Sequence, residues 1–136
     1  METQKTKISA YAMPGIGFAE PVTSPKRKFL TSIEIKKIVA HYFNLPVFTL
    51  DLKSRKIEIR EARQIGHYFA RIFTRDSSTV VGKIIGNKDH ATVLHSCKTI
   101  SNLRETDKKL ASVLKDIEYY IKIRIKESNG DIKQTY

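Results

Sequence analysis

One cysteine, no tryptophan and few acidic residues distinguish this 136-residue chain before any pattern is sought. The lone Cys97 excludes an intramolecular disulfide framework and a cysteine-based zinc site, which fits a reducing compartment. No apolar run approaches the ~18 residues needed to cross a bilayer, so no membrane span is expected. A phosphate-cradling loop is missing as well. Gly82-Lys83 is followed by Ile84 rather than Ser or Thr, and no other Gly-Lys pair occurs. No pair of carboxylates, nucleophile with base, or metal set can be assembled with any specificity, so an enzyme is not expected and no cofactor is implied. Acid is scarce beside base: 14 Asp and Glu stand against 25 Lys and Arg, a net charge of +11. A domain this basic usually meets a polyanion, nucleic acid before an anionic membrane surface.

Residues 1–28 hold three of the four prolines, show no sustained period, and are expected to be a flexible basic arm. Lys5 and Lys7 ahead of Ile8 to Ala19 imitate a signal peptide, but Pro14 and Gly15 interrupt the apolar stretch. The arm contributes +3, leaving +8 for the remainder. The domain is expected over 29–126, with 127–136 as a tail.

Helical spacing governs that domain. Thr31 and Glu34 have capping-box spacing, and Ile35, Ile38, Val39 and Tyr42 follow on one face until Asn44 and Pro46 stop the helix. Val47 to Leu50 reads as a short helical turn. Lys53 to Arg60 is charged and carries no stripe, so it reads as a basic loop. Ala62, Ile65, Phe69 and Ile72 then mark a second long helix ending at Phe73. Ser77 or Ser78 caps a short third helix carrying Val81, Ile84 and Ile85, and Gly86-Asn87 ends it. Asp89 caps a fourth helix with Val93, Leu94, Cys97 and Ile100 inward, which leaves His90, Ala91, Thr92, His95 and Lys98 on or near the other side. A last helix from about Asp107 to Lys126 carries Leu110, Leu114, Ile117, Ile121 and Ile125. No segment alternates as a strand, so the fold class is all-α: a small helical domain with a long C-terminal helix.

A short helix, a tight Gly86-Asn87-Lys88 turn and a longer helix capped by Asp89 outline a helix-turn-helix. Gly82, without a side chain, lets the two helices approach. The second helix offers free N–H groups at its start, where phosphate is favoured, and short polar side chains that can reach base edges in a major groove. Other singled-out residues have plainer readings. His90 and His95 share no i, i+4 face for a metal; His41 and His67 read as structural; Cys97 reads as a buried thiol; Tyr119 and Tyr120 read as packing.

Gly86-Asn87-Lys88-Asp89-His90-Ala91-Thr92-Val93-Leu94-His95-Ser96-Cys97-Lys98 closely resembles the signature of the C-terminal DNA-binding domain, domain IV, of the bacterial replication initiator DnaA. Glu61-Ala62-Arg63-Gln64-Ile65 and Ala40-His41-Tyr42-Phe43-Asn44-Leu45 are similar to further stretches of that family, so the likeness covers about Phe29 to Leu103. It implies a Trp-repressor-like helix-turn-helix that binds short double-stranded sites, the DnaA boxes, in replication origins. By position, Asp89, His90, Ala91 and Thr92 match the major-groove residues, Ala91 standing where a threonine is common. Lys53, Arg55, Lys56, Arg63, Lys88, His95 and Lys98 are the implied phosphate or minor-groove contacts. The family's minor-groove arginine is left to Arg55 or Lys56, since Ile57 carries no charge. The resemblance further implies a bacterial or mobile-element protein of the cytoplasm and nucleoid, acting without the initiator's ATPase module. Its partners would be duplex DNA and, secondarily, the host initiator or another replication protein. The alternative is a degenerate helix-turn-helix serving as a protein-interaction module or transcriptional regulator.

Overall fold

The computed structural model describes residues 29–130, which form five α-helices with no strand among them. The arm expected over 1–28 lies outside the described residues. Helix α1 (Ser32–Tyr42) starts at a complete capping box: Thr31 Oγ1 accepts from the Glu34 N–H at 3.2 Å, and Glu34 Oε1 accepts from the Thr31 N–H at 3.0 Å. Asn44 ends it with φ 56°, a left-handed value that Asn tolerates better than most residues. After Pro46 comes the expected short turn, a 3₁₀ helix over Val47–Asp51.

Helix α2 (Ile57–Phe73) begins earlier than the sequence pattern indicates. Ile57 to Arg60 were expected to stay in the basic loop; instead they form the first turn, with Ile59 already buried and Glu58 placed where the helix dipole favours an acid. Charged residues on the outer face of that turn hide its period. Helix α3 (Ser78–Ile84) is capped by Ser77, whose Oγ accepts from the Val80 N–H at 3.3 Å. Helix α4 (His90–Thr106) is capped by Asp89, and α5 (Lys108–Ser128) by Asp107, the single residue between them. Helix α5 thus runs two residues past the expected boundary at Lys126.

Helix α2 lies at the centre, against α1, α3 and α4, while α5 closes the core across α1 and α4. Ile35, Val39, Ile65, Phe69, Val81, Ile85, Val93, Ile100, Ile117 and Ile121 are buried together. Two inward assignments need correction. Leu94 is 47% exposed, and Ser96 is buried in its stead because its hydroxyl has a polar partner in the core. Ile72 also faces outward, one position off the α2 stripe near the helix end. His41, Tyr119 and Tyr120 lie on the surface rather than in the packing, although the two tyrosines stack edge to face with ring centroids 5.8 Å apart.

The helix-turn-helix is fixed to the rest of the molecule by polar groups inside the apolar mass. Arg63 on α2 is 7% exposed; its Nε donates to the Leu50 carbonyl at 2.9 Å and its Nη2 to the Leu52 carbonyl at 2.7 Å. One turn further on, His67 is fully buried, with Nε2 2.7 Å from the Ile85 carbonyl and Nδ1 3.0 Å from Ser96 Oγ. The carbonyl can only accept, so Nε2 carries the proton and Nδ1 accepts from the serine. Asp51 joins the same network: one carboxylate oxygen accepts from the Gly86 N–H at 2.9 Å and the other pairs with Lys36 at 2.6 Å. Gly86 has φ 89°, and a Cβ there would press on the Arg63 side chain.

The turn closes on Gly82, whose carbonyl accepts from the Lys88 N–H at 2.8 Å. A Cβ at Gly82 would collide with the Lys88 carbonyl, so the expected close approach is real, and it is the turn's backbone that makes it. Replacing Gly82 by Ala should therefore cost about 1–3 kcal/mol, the usual range for overpacking, read as a lowered urea midpoint; an unchanged midpoint would contradict the contact.

His67 adds a pH dependence. Burial is the main influence holding its pKa below the ordinary 6.5, and the positive charges of Arg63 and Lys88 push the same way against the Ile85 hydrogen bond. The folded state therefore resists a proton that the unfolded chain accepts. Stability is complete above pH 6.5 and falls as the pH drops below it, by up to about 1.4 kcal/mol per unit until the folded imidazole titrates. Urea melts between pH 7 and pH 5 should show a steeper loss for the wild type than for His67→Gln; equal slopes would refute this origin.

Candidate nucleic-acid interface

The first turn of α4 presents Asp89, His90, Ala91 and Thr92 to solvent as a contiguous, unburied set. Val93 and Ser96 anchor the turn from below, and Ser96 does so through His67. Asp89 Oδ1 accepts from the Thr92 N–H at 2.9 Å. Hydrogen bonds from the Thr92 hydroxyl and from its N–H hold the Asp89 carboxyl below the usual carboxylate range. The cap is thus ionised at neutral pH and uses one of the free donors of the helix start. The neighbouring N–H groups and the positive end of the helix dipole remain at the surface, where an anionic or hydrogen-bonding ligand is favoured. Among the described residues, no group of three His, Cys, Asp or Glu side chains is placed to hold a metal.

The basic loop runs from the 3₁₀ helix into α2. Lys53, Arg55 and Lys56 are exposed along it, and Ser54 Oγ accepts from the Lys56 N–H at 3.2 Å. Lys56 is the N-cap residue of α2 and Ile57 its first residue, 67% exposed with no apolar neighbour covering most of it. Because Arg63 fixes the Leu50 and Leu52 carbonyls, the loop starts from a defined place rather than from a free end.

Arg63 itself requires a correction. Sequence reasoning set it among the phosphate or minor-groove contacts, whereas its guanidinium lies inside the domain with two of its three nitrogens committed to carbonyls. Burial lowers its pKa from the ordinary arginine value, with Asp51 acting the other way. Its role is to hold the loop that carries Lys53, Arg55 and Lys56. Lys88 is half-buried in the turn, while His95 and Lys98 lie exposed further along α4, His95 Nε2 being 3.5 Å from the Thr99 hydroxyl.

Between α2 and α4 lies a cleft of about 240 Å³. Arg60 and Gln64 line it from α2, and Lys88, Thr92 and His95 from the turn and α4. The structure thus brings four of the expected residues together, Arg63 in the wall and Lys88, Thr92 and His95 across from α2, while Lys53, Arg55 and Lys56 belong to the loop and Lys98 to a later turn. Sequence reasoning passed over Gln64 and left Arg60 among the charges of the basic loop. Their four-residue spacing would have placed them on one face, but only once Ile57 to Arg60 are recognised as helical.

Comparison with known proteins bears on this arrangement. The family described as the bacterial dnaA protein helix-turn-helix matches residues 33–100, half of the chain, from the start of α1 to the inward Ile100 of α4. The chromosomal replication initiator protein DnaA of Bacteroides thetaiotaomicron is 43% identical over 101 residues, which are 74% of this chain and 22% of that protein. The same-named protein of Bacteroides fragilis is 44% identical over 104 residues, 76% of this chain and 22% of the relative. That of Crocosphaera subtropica is 38% identical over 123 residues, 90% of this chain and 27% of the relative. The chain therefore spans between a fifth and a third of the length of these relatives. The exposed turn of α4, the Gly82 contact beneath it and the match across α1 to α4 lead to one conclusion: the chain belongs to the bacterial DnaA helix-turn-helix family.

Proposed function

We propose that the domain binds double-stranded DNA sequence-specifically, at DnaA-box-like sites, and acts in initiating or regulating replication. The observation that carries this reading is the exposure of Asp89 to Thr92 on a helix start that His67, Ser96 and Gly82 hold rigidly from below. A helix held in this way fits a major groove, and its short polar side chains reach base edges without bending the helix. His90 is the principal base reader, since Asp89 and Thr92 are engaged with each other in the cap. Ala91 supplies a methyl group suited to a thymine methyl. Lys53, Arg55 and Lys56 place charge on the backbone and in the adjacent minor groove, and Lys88, His95 and Lys98 hold the phosphates beside α4. No helix of the described residues is long and apolar enough to cross a membrane.

A second surface supports a protein partner from the replication machinery. An apolar groove of about 840 Å³ between α1, the 3₁₀ helix and α5 is lined by Ile38, Tyr42, Leu45, Val47 and Tyr120, with none of the α4 residues named above. Capture of such a partner should survive high salt and nuclease treatment; loss under either condition would return the interaction to DNA.

Two measurements test the DNA reading. In fluorescence anisotropy at near-physiological salt, a duplex bearing a DnaA box should bind more tightly than its scrambled counterpart, and equal affinities would sink the sequence-specific part. Replacing His90 by Ala should erase about 1–3 kcal/mol of that discrimination. Replacing Lys53 by Ala should instead weaken both duplexes alike and reduce the salt slope by about one unit.

A further inference from the structure

The groove between α1, the 3₁₀ helix and α5 shares no residue with the first turn of α4. Ile38 and Tyr42 line it from α1, Pro46 and Val47 from the 3₁₀ segment and Tyr120 from α5, the two tyrosine rings lying 6.3 Å apart. Val47 and Tyr120 are exposed, as are their chain neighbours Phe48 and Tyr119. Apolar side chains gathered in this way, rather than scattered singly, mark an interaction surface.

The same chain carries an apolar stretch that duplex binding leaves without a role. Ile8 to Ala19 contains no Asp, Glu, Lys or Arg, although 29% of the chain is charged, and it includes Ile8, Tyr11, Met13, Ile16 and Phe18. Its chemistry suits the groove: aromatic-lined grooves receive proline-bearing segments, here Pro14 beside Met13, and a methionine sulfur packs favourably against aromatic rings. Chain length permits the meeting. Leu30 is buried and its N–H donates to the Phe73 carbonyl at 2.8 Å, so the chain joins the domain at the start of α1. Lys37 to Tyr42, where α1 borders the groove, lie about 9–16 Å further along the helix axis. The nine residues from Glu20 to Lys28 reach up to about 30 Å, which exceeds that distance. A tether this short gives an effective concentration in the millimolar range, so a contact too weak to join two separate molecules still forms.

We infer that the groove is the docking seat of the chain's own Ile8 to Ala19 stretch, which covers Val47 and Tyr120 in the free protein. The inference rests on neither the duplex-binding nor the partner reading above. It does set a condition on the partner, which has to displace a tethered competitor and binds with an apparent affinity reduced by the occupancy of the seat. Since none of Asp89 to Thr92 lines the groove, seating of the stretch leaves the start of α4 uncovered.

The chain has no tryptophan, so Met13→Trp places a single fluorescent reporter in the stretch. In the whole chain its emission should lie to the blue of the same tryptophan in a synthetic peptide spanning residues 8–19. Adding Val47→Asp or Tyr120→Gln should return the emission to the position seen in the peptide while leaving the circular dichroism spectrum unchanged, because both side chains are exposed. Adding Ile72→Asp, at an exposed position on α2 outside the groove lining, should keep the blue shift. Docking within one molecule is independent of concentration, so the shift should also persist on dilution, at a monomeric mass. Emission matching the peptide in the whole chain would overturn the docking, as would a blue shift that survives both groove changes or one lost equally in Ile72→Asp. A blue shift that disappears on dilution as a dimeric mass falls to the monomer would overturn it in favour of a stretch supplied by a second copy.

Discussion

Two buried polar side chains, one helical turn apart on α2, hold everything else in register. Arg63 holds the carbonyls of Leu50 and Leu52, and His67 holds the Ile85 carbonyl and the Ser96 hydroxyl. Apolar packing is weakly directional, and it would let α3, α4 and the basic loop settle in several similar arrangements. Hydrogen bonds at 2.7–3.0 Å to fixed partners remove that latitude. Each bond contributes only about 1 kcal/mol net, yet leaving any of these groups unmatched in the core costs more than that. The network therefore specifies an arrangement more than it adds stability.

Asp51 extends this specification across the molecule. Its two oxygens tie Lys36 of α1 to the Gly86 N–H at the turn, so the helix-turn-helix is braced from the opposite side of the loop that Arg63 fixes. On the other flank, Ser32 at the start of α1 is buried and hydrogen-bonded to Asp76 in the link before α3. The DNA-facing elements thus rest on contacts from segments distant in the chain. Duplex binding by such a domain loses little conformational entropy on the protein side, which is the advantage of a preformed surface.

Local signals made much of this architecture legible in the sequence. Thr31 with Glu34, Ser77 and Asp89 are caps whose chemistry acts within three residues, and the structure places all three where the spacing does. The start of α2 was not legible, because Ile57 to Arg60 place only Ile59 inward and their charges resemble a loop. Leu94 and Ser96 show the same limit in reverse. Side-chain type pointed one way, whereas helix geometry and the distant His67 pointed the other. At the site, the contiguous run from Gly86 to Lys98 was recognisable by itself. The structural role of Arg63 was hidden, since its acceptors at Leu50 and Leu52 lie more than ten residues away and are backbone atoms that any side chain could have supplied.

On the sequence-specific reading proposed above, the cap at Asp89 bears on how such a protein changes its target over evolutionary time. Of the four residues displayed at the start of α4, His90 and Ala91 contribute almost no burial and take no part in the cap, so their side chains are free to drift without loosening the core. Asp89 is bound to the Thr92 N–H and cannot drift without fraying the helix that presents the others. Retargeting is thereby confined to an alphabet of two neighbouring letters, while the position and angle from which they are read stay inherited.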